Sequence, residues 1–506
     1  MSTYLGLDIG TTSVKAAVFD ASGTCLALQA QDYALNTPGV DRVELDPEHY
    51  WVSTVEVIGQ IMGTSGISPE SISAICVSSQ GETVITVDHD GKPIYPALVW
   101  LDNRARAEAN QLADQLGSRV YAHTGIPEVN PTWTACKIAW IREHEPEIFR
   151  QAYKFLLAQN FIIHRLTGDY VTDGGVSCTT LLLDINNHSW WQEALNAVGI
   201  SPERLPTLKR VGEIAGGLNL KAAGMLGLQA GTPVVLGGMD QIAGAVGAGN
   251  LMPEIVSEST GGALTIQVTV DRPDIDERAQ IPVYLHALPG MYLFDPVCDT
   301  GGMSFKWFRD VFGEVEIARA RQGGLDAYDL LTELAEQAEP GCDGLLMLPH
   351  LTGAFSPEYD PYARGVFYGF TLAHRKAHFA RSVMEAVAFM LRRNLELVTT
   401  TGLEIKEVRA TGGGARSRLW RQIKADVCNC PVVSLTHEDS ALLGDAILAA
   451  VATRNFATVF EAADAMVKVA ERLEPLPANC PLYEDAYGRY IQLYKTLAPR
   501  FQADFE

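Results

Sequence analysis

Positive charge is scarce in this 506-residue chain: 39 Lys and Arg stand against 61 Asp and Glu, a formal net charge of −22. Such an excess repels nucleic-acid phosphates and anionic membrane surfaces, so neither is an expected partner. Long hydrophobic runs are missing too. No segment approaches the ~20 apolar residues of a membrane span, and Asp8 and Lys15 interrupt the N terminus before a signal-peptide core can form. The nine cysteines are scattered, odd in number and without a CxxC pair, which argues against a zinc site or a disulfide framework and for a reduced, cytoplasmic protein. Also absent are GxxxxGKS or GxxxxGKT, a complete GxGxxG, HExxH and GxSxG. P-loop, Rossmann, zinc-protease and serine-hydrolase readings fall with them.

What is present is an ordinary globular composition, 47% hydrophobic and 20% charged, in a chain longer than the ~250–300 residues at which single cores stop growing. Two domains of similar size are expected, 1–249 and 250–506. The opening YLGLDIGTTSVKAAVFDASG reads as a strand to about Asp8, a Gly-Thr-Thr turn and a strand from Val14 to Phe19. Asp46 and Pro47 offer a helix start, and SISAICVSS returns to a buried strand. Strands and helices alternate, so the class is α/β. Residues 254–271, EIVSESTGGALTIQVTVD, repeat the strand, Gly/Thr turn, strand pattern of the opening, which implies a weak two-copy organisation. The second half adds a periodic helix in RSVMEAVAFMLRRNLELV, a strand, glycine loop and helix in EVRATGGGARSRLWRQIKADVC, and a buried helix in SALLGDAILAAVA.

Several motifs carry chemistry. In DIGTTS, bare amides and the hydroxyls of Thr11 and Thr12 can cradle phosphate oxygens while Asp8 holds a divalent cation, although a capped hairpin turn has the same composition. A second turn, Thr260-Gly261-Gly262, strengthens the phosphate reading. TGGGARS, residues 411–417, ends a strand and opens a helix, where backbone approaches a ligand or another segment closely. Asp240 stands in VVLGGMDQIAGAVGAGN after a buried strand; it reads either as a helix cap or, with Gln241 beside it, as an acceptor for a substrate hydroxyl proton. QGET, residues 80–83, and WLDNR, residues 100–104, put polar groups at expected strand ends, where open α/β sheets bind small ligands. Trp133 reads as a sugar-facing ring or a core ring.

These residues resemble the FGGY carbohydrate kinases, which share the actin, Hsp70 and ribonuclease-H type of ATPase fold. TWTACKIAWIREH, residues 132–144, is similar to the family's first signature except that Thr132 stands at its opening position. GVFYGFTLAHRKAHFARSVME, residues 365–385, is similar to the second throughout, and GGGARSRLWRQ to the adenosine loop. The resemblance implies two such ATPase domains with a catalytic cleft between them, ATP and Mg2+ as cofactors, and possible homodimers. It implies Asp240 as catalytic base, Asp8 at Mg2+, Thr11, Thr12 and Thr260 at the phosphates, and Gly302, Gly413, Gly414 and Arg418 at the nucleoside. Gln80, Glu82, Asp102, Trp133, Asp240 and Gln241 fall where the family meets its sugar or polyol.

Two departures stand out. Ser259-Thr260-Gly261 lacks the leading glycine of the second phosphate loop. Gln80-Gly81-Glu82-Thr83 and Asp240-Gln241 resemble the family's glycerol kinases, whereas WLDNR, HEPEIF, LTGDYVTDGGVSCTTLLLD and LPHLTGAFSP resemble its xylulokinases. The expected activity is ATP-dependent phosphorylation of a primary hydroxyl of D-xylulose, with glycerol or another polyol as the alternative substrate and a catalytically silent sugar sensor as the alternative role.

Overall fold

TYLGLDI, the first strand, is buried along its whole length, so it needs cover on both faces and belongs at a sheet centre. The computed structural model describes residues 2–273 and 281–504. Along the chain the elements that position the site are β1 (Thr3–Ile9), β2 (Ser13–Asp20), β3 (Cys25–Asp32), α1 (Glu48–Thr64), β4 (Ile72–Ser79), α2 (Thr134–His144), β5 (Ile214–Gly217), β6 (Pro233–Met239) and α3 (Asp240–Gly247). There follow β7 (Ile255–Thr260), β8 (Leu264–Val270), α4 (Gly302–Phe312), α5 (Lys376–Thr399), β9 (Glu407–Thr411), α6 (Arg418–Cys428), β10 (Val432–Leu435), α7 (Ser440–Ala452), β11 (Val469–Leu473) and α8 (Cys480–Ala503). Helix α1 starts one residue later than Pro47 suggested, and Asp46 Oδ1 accepts the Glu48 N–H at 3.0 Å.

The chain forms two compact units. The first comprises residues 1–251, 270–293 and 439–468; the second comprises 252–269, 294–438 and 469–506. In the first, the sheet runs β5-β6-β4-β1-β2-β3. Strand β1 is antiparallel to β2 and parallel to β4, which is parallel to β6. In the second, β8-β7-β9-β10-β11 follow the same plan: an antiparallel hairpin from β7 and β8, then β9 and β10 added in parallel. The expected two-copy organisation is therefore built from one recurring hairpin-plus-parallel-strand unit.

The contiguous halves 1–249 and 250–506 are corrected by helix α7, which returns to the first unit from beyond residue 438. Its small-residue face explains the return. A Cβ on Gly247 would lie 1.8 Å from the Ser440 carbonyl oxygen, and one on Gly444 1.9 Å from that of Ala243, so α3 and α7 meet backbone to backbone. None of the nine cysteines is bonded to another, and no helix among the described residues is long and apolar enough to cross a membrane.

Candidate active site

Parallel strands β1, β4 and β6 end at one edge of the first sheet, and the carboxyl ends of such strands are where α/β folds place ligands. Asp8 pairs in register with Ser78, and Ser79 with both Ile9 and Met239. Asp8, Gln80, Asp240 and Gln241 therefore lie at that edge. A register irregularity at Gly237 and the left-handed Gly238 (φ +80°) turn the chain out of β6 into α3, where Asp240 is the first helical residue and Met239 the cap. Asp240 is thus no N-cap. Its neighbour's environment is equally telling: Asp8 Oδ1, Gln80 Oε1 and Gln241 Oε1 are each buried without a hydrogen-bond partner. Buried polar atoms are nearly always satisfied in folded proteins, so three orphaned oxygens at one sheet edge mark a place for a bound group.

Electrostatics point the same way. Burial, reinforced by the charges of Asp240 and Asp439, pushes the Asp8 carboxyl up to about 8. Lys15 reaches Asp439 at 2.7 Å and only partly relieves that repulsion. Beneath the edge, the fully buried Asp445 of α7 accepts the Ser78 hydroxyl at 2.8 Å. A Cβ on Gly237 would strike its Oδ1 at 2.3 Å, so that glycine makes its room. Burial pushes the Asp445 carboxyl well above the usual carboxylate range, and the Ser78 hydroxyl only partly offsets it. Asp8 and Asp240 offer the hard oxygen donors Mg2+ prefers, and the orphaned Asp8 Oδ1 is an atom a cation or its water shell would satisfy. No group of three or more His, Cys, Asp or Glu among the described residues could hold a metal ion by itself.

The Gln80–Thr83 loop is held from three sides. Gln80 Nε2 donates to the Tyr50 hydroxyl at 2.9 Å, the Glu82 N–H to Thr179 Oγ1 at 3.0 Å, and Thr134 Oγ1 to the Glu82 carbonyl at 3.1 Å. Lys137 of α2, fully buried, donates to the Val99 carbonyl at 2.8 Å and to that of Glu82 at 3.4 Å. Burial, against the pull of Glu82 and Asp102, draws its ammonium down to about 7. These ties keep Glu82 left-handed (φ +53°), a conformation that side chains other than glycine seldom adopt and that concentrates at binding sites. Two expected substrate contacts are already committed. Asp102 accepts from the Val43 N–H at 2.6 Å and from Arg104 Nε and Nη2 at 2.8 Å each, so its oxygens are spent on anchoring a loop. Trp133 is buried, with Nε1 donating to the Glu128 carbonyl at 2.8 Å. At the β1–β2 turn, Thr11 Oγ1 accepts from Trp100 Nε1 at 2.8 Å and Thr12 is exposed.

In the second unit three loops converge. A Cβ on Gly414 would meet Thr260 Cβ at 2.7 Å, one on Gly302 the Gly261 carbonyl oxygen at 2.2 Å, and one on Gly412 Ser259 Oγ at 2.8 Å. These glycines allow the loops to touch. Gly413 meets only the Thr260 carbonyl oxygen, at 4.0 Å, and Gly261 meets nothing within 4 Å, so both are left open. Arg418 diverges: its Nε donates to Glu471 at 2.9 Å, an exposed pair away from the three loops' contacts. The Thr260 hydroxyl is buried and donates to Glu258 Oε2 at 2.7 Å. Sequence reading missed Ser78, Lys137, Thr179, Glu258, Lys424 and Asp445. Only Lys137 lies in a recognised signature; the partners of the others are distant in the chain.

The geometry agrees with comparison to known proteins. Residues 3–247 match the N-terminal domain of the FGGY family of carbohydrate kinases, and residues 266–453 match its C-terminal domain. The gluconokinase of Bacillus subtilis (strain 168) is 32% identical over 511 residues, covering 100% of this chain and 99% of that protein. A xylulose kinase of Staphylococcus epidermidis is 29% identical over 495 residues, covering 97% and 96%. The crystal structure of ligand-bound xylulose kinase from Lactobacillus acidophilus superposes with a TM-score of 0.90 at 26% identity, covering 100% of both chains. A two-unit α/β ATPase fold, a carboxylate pair at the sheet edge and matches across both domains have one reading: the chain belongs to the FGGY family of carbohydrate kinases.

Proposed function

We propose that the protein transfers the γ-phosphoryl group of ATP to a primary hydroxyl of a neutral, open-chain polyhydroxylated sugar, with Asp240 as general base and D-xylulose as the first candidate substrate. The observation that carries this reading is the set of orphaned oxygens on Asp8, Gln80 and Gln241 beside Asp240, which asks for hydroxyl and cation partners at one sheet edge. Asp240 orients the acceptor hydroxyl and takes its proton as the new O–P bond forms and ADP leaves. Phosphoryl transfer relies mainly on positioning and charge stabilisation, so no covalent nucleophile is needed. Asp8 would hold Mg2+, which when bound neutralises phosphate charge. The amides of Thr11 and Thr12, in the turn that follows β1, would suit phosphate oxygens.

The substrate side of the first unit supports a neutral acceptor. Its titratable groups at the edge include the acids Glu82, Asp240 and Asp8, with Lys15 held by Asp439; Lys137 is fully buried on carbonyl oxygens, and Arg104 is ion-paired with Asp102 and Glu44 while its Nη1 is buried without a partner. A sugar acid would bring a further carboxylate beside these three acids, a costly arrangement. The similarity to a gluconokinase favours gluconate as the second reading. Coupled ADP release with Mg-ATP across D-xylulose, D-ribulose, L-ribulose, glycerol, erythritol and gluconate decides between them. A ketopentose standing out by about a hundredfold supports the proposal, and gluconate standing out overturns its neutral-substrate half.

A further inference from the structure

The second unit contains a buried ion pair that no part of the reaction requires. Lys424 of α6 and Glu258 of β7 are both fully buried, with Nζ to Oε1 at 2.6 Å. Lys424 Nζ also donates to Thr260 Oγ1 at 2.7 Å, and that hydroxyl donates its single hydrogen to Glu258 Oε2 at 2.7 Å. Thr411 Oγ1 closes the arrangement by donating to the Glu258 carbonyl at 2.9 Å. Helix α6 follows the TGGGARS loop, so its lysine ties the helix behind one nucleotide loop to the strand that ends in the other.

We infer that Lys424 and Glu258 are positioning residues that turn the Thr260 hydroxyl away from the nucleotide, so that this loop meets phosphate through backbone amides alone. The inference rests on the kinase reading and deepens it. A hydroxyl has one proton to give, and a phosphate oxygen needs a donor; here that proton is spent. The amides of Gly262 and Ala263 make no hydrogen bond among the described residues, and they stand at the exposed tip of the turn. Ser259 replaces the glycine expected before Thr260, and its Oγ lies against the site a Gly412 Cβ would fill, 2.8 Å away. The internal lock fixes a turn that carries less glycine than usual.

Isothermal titration of MgADP into the full-length protein tests this with three variants, each accompanied by its thermal midpoint. Thr260→Val should bind within about threefold of the parent, whereas a phosphate-bound hydroxyl would cost roughly tenfold or more; the latter result overturns the inference. Lys424→Met, which strands Glu258, should lower the midpoint by on the order of 5 °C or more and weaken MgADP by about tenfold. The neutral double variant Lys424→Met with Glu258→Gln keeps the test alive if the single variant fails to fold. It should recover the midpoint but not MgADP affinity; recovery of both reduces the pair to packing and overturns the inference. A parent that binds no MgADP removes the kinase reading itself, a result separable from tight parental binding lost in Thr260→Val.

Discussion

The two hairpin turns follow one plan and end differently. In the first unit the carboxylate at the strand end, Asp8, is buried with an oxygen unsatisfied and two further acids close enough to raise its pKa. In the second, Glu258 is equally buried but neutralised by Lys424, hydrogen-bonded by Thr260 and covered by Thr411. A buried charge without partners is expensive, and one with a full set is not. The same turn thus becomes a place where charge waits for ligand in one unit and a rigid holder in the other. Substitutions at the first edge should cost rate with little stability; substitutions in the second should cost stability and affinity.

The strongest way to break this contrast is Asp240→Asn. Loss of general-base catalysis should lower kcat by ~10²–10⁴ with the thermal midpoint held or raised, since a like charge beside Asp8 is removed. Activity within about threefold of the parent would end the assignment. Next comes Glu82→Gln, which sharpens the substrate question. For a neutral sugar kcat/KM should fall about 10–100-fold through weaker charge-assisted hydrogen bonds to hydroxyls, whereas for gluconate it should rise as repulsion is relieved. Steady-state kinetics with both substrates reads the sign.

A smaller effect probes the second unit through pH. Asp295 is buried, accepts from Gln267 Nε2 at 2.8 Å, and burial pushes its carboxyl up to about 7. The folded chain therefore binds this proton more tightly than an unfolded chain, whose value is about 4. The stabilisation is complete below that lower value and is lost as pH rises through about 7. Asp295→Asn should raise the thermal midpoint by several degrees at about pH 8, at ~2–4 °C per kcal/mol, and by much less near pH 5. The smallest effect belongs to Asp445→Asn: burial favours the uncharged form of the native group, so the isosteric amide should shift the midpoint by about 2 °C or less, while Asp445→Leu, which strands the Ser78 hydroxyl, should cost more.

The contrast also shows where sequence is informative. The placement of Asp8 and Asp240 at strand ends was legible because the hairpin, the glycines and the strands that display them are local. The partners of Asp102 were not legible, for the opposite reason. Its sequence neighbours make it look like a ligand group on a loop, but Val43, 59 residues away, reaches its carboxylate in the fold. Thr260 reads as a phosphate contact because the turn around it is local, while Lys424, which donates to its hydroxyl, is 164 residues away. Asp445 reads as an oddity in an apolar helix until Ser78, 367 residues earlier, is seen to donate to it. Local chemistry writes the turns into the sequence; the commitments of their side chains are set by partners that only tertiary packing supplies.

The return of α7 to the first unit has a consequence for how the chain is made. Strands β1, β4 and β6 leave the ribosome early, but the helix that covers Gly6, lies against Gly247 and gives Ser78 its acceptor follows only after residue 439. Until then the sheet edge that carries Asp8 and Asp240 lacks α7 beneath it, while nearly the whole second unit is being synthesised. Domains ordinarily fold as units in order of synthesis. Here the unit begun first is completed among the last, so the nascent chain carries an unfinished active site for most of its translation and gains a competent one only near the end.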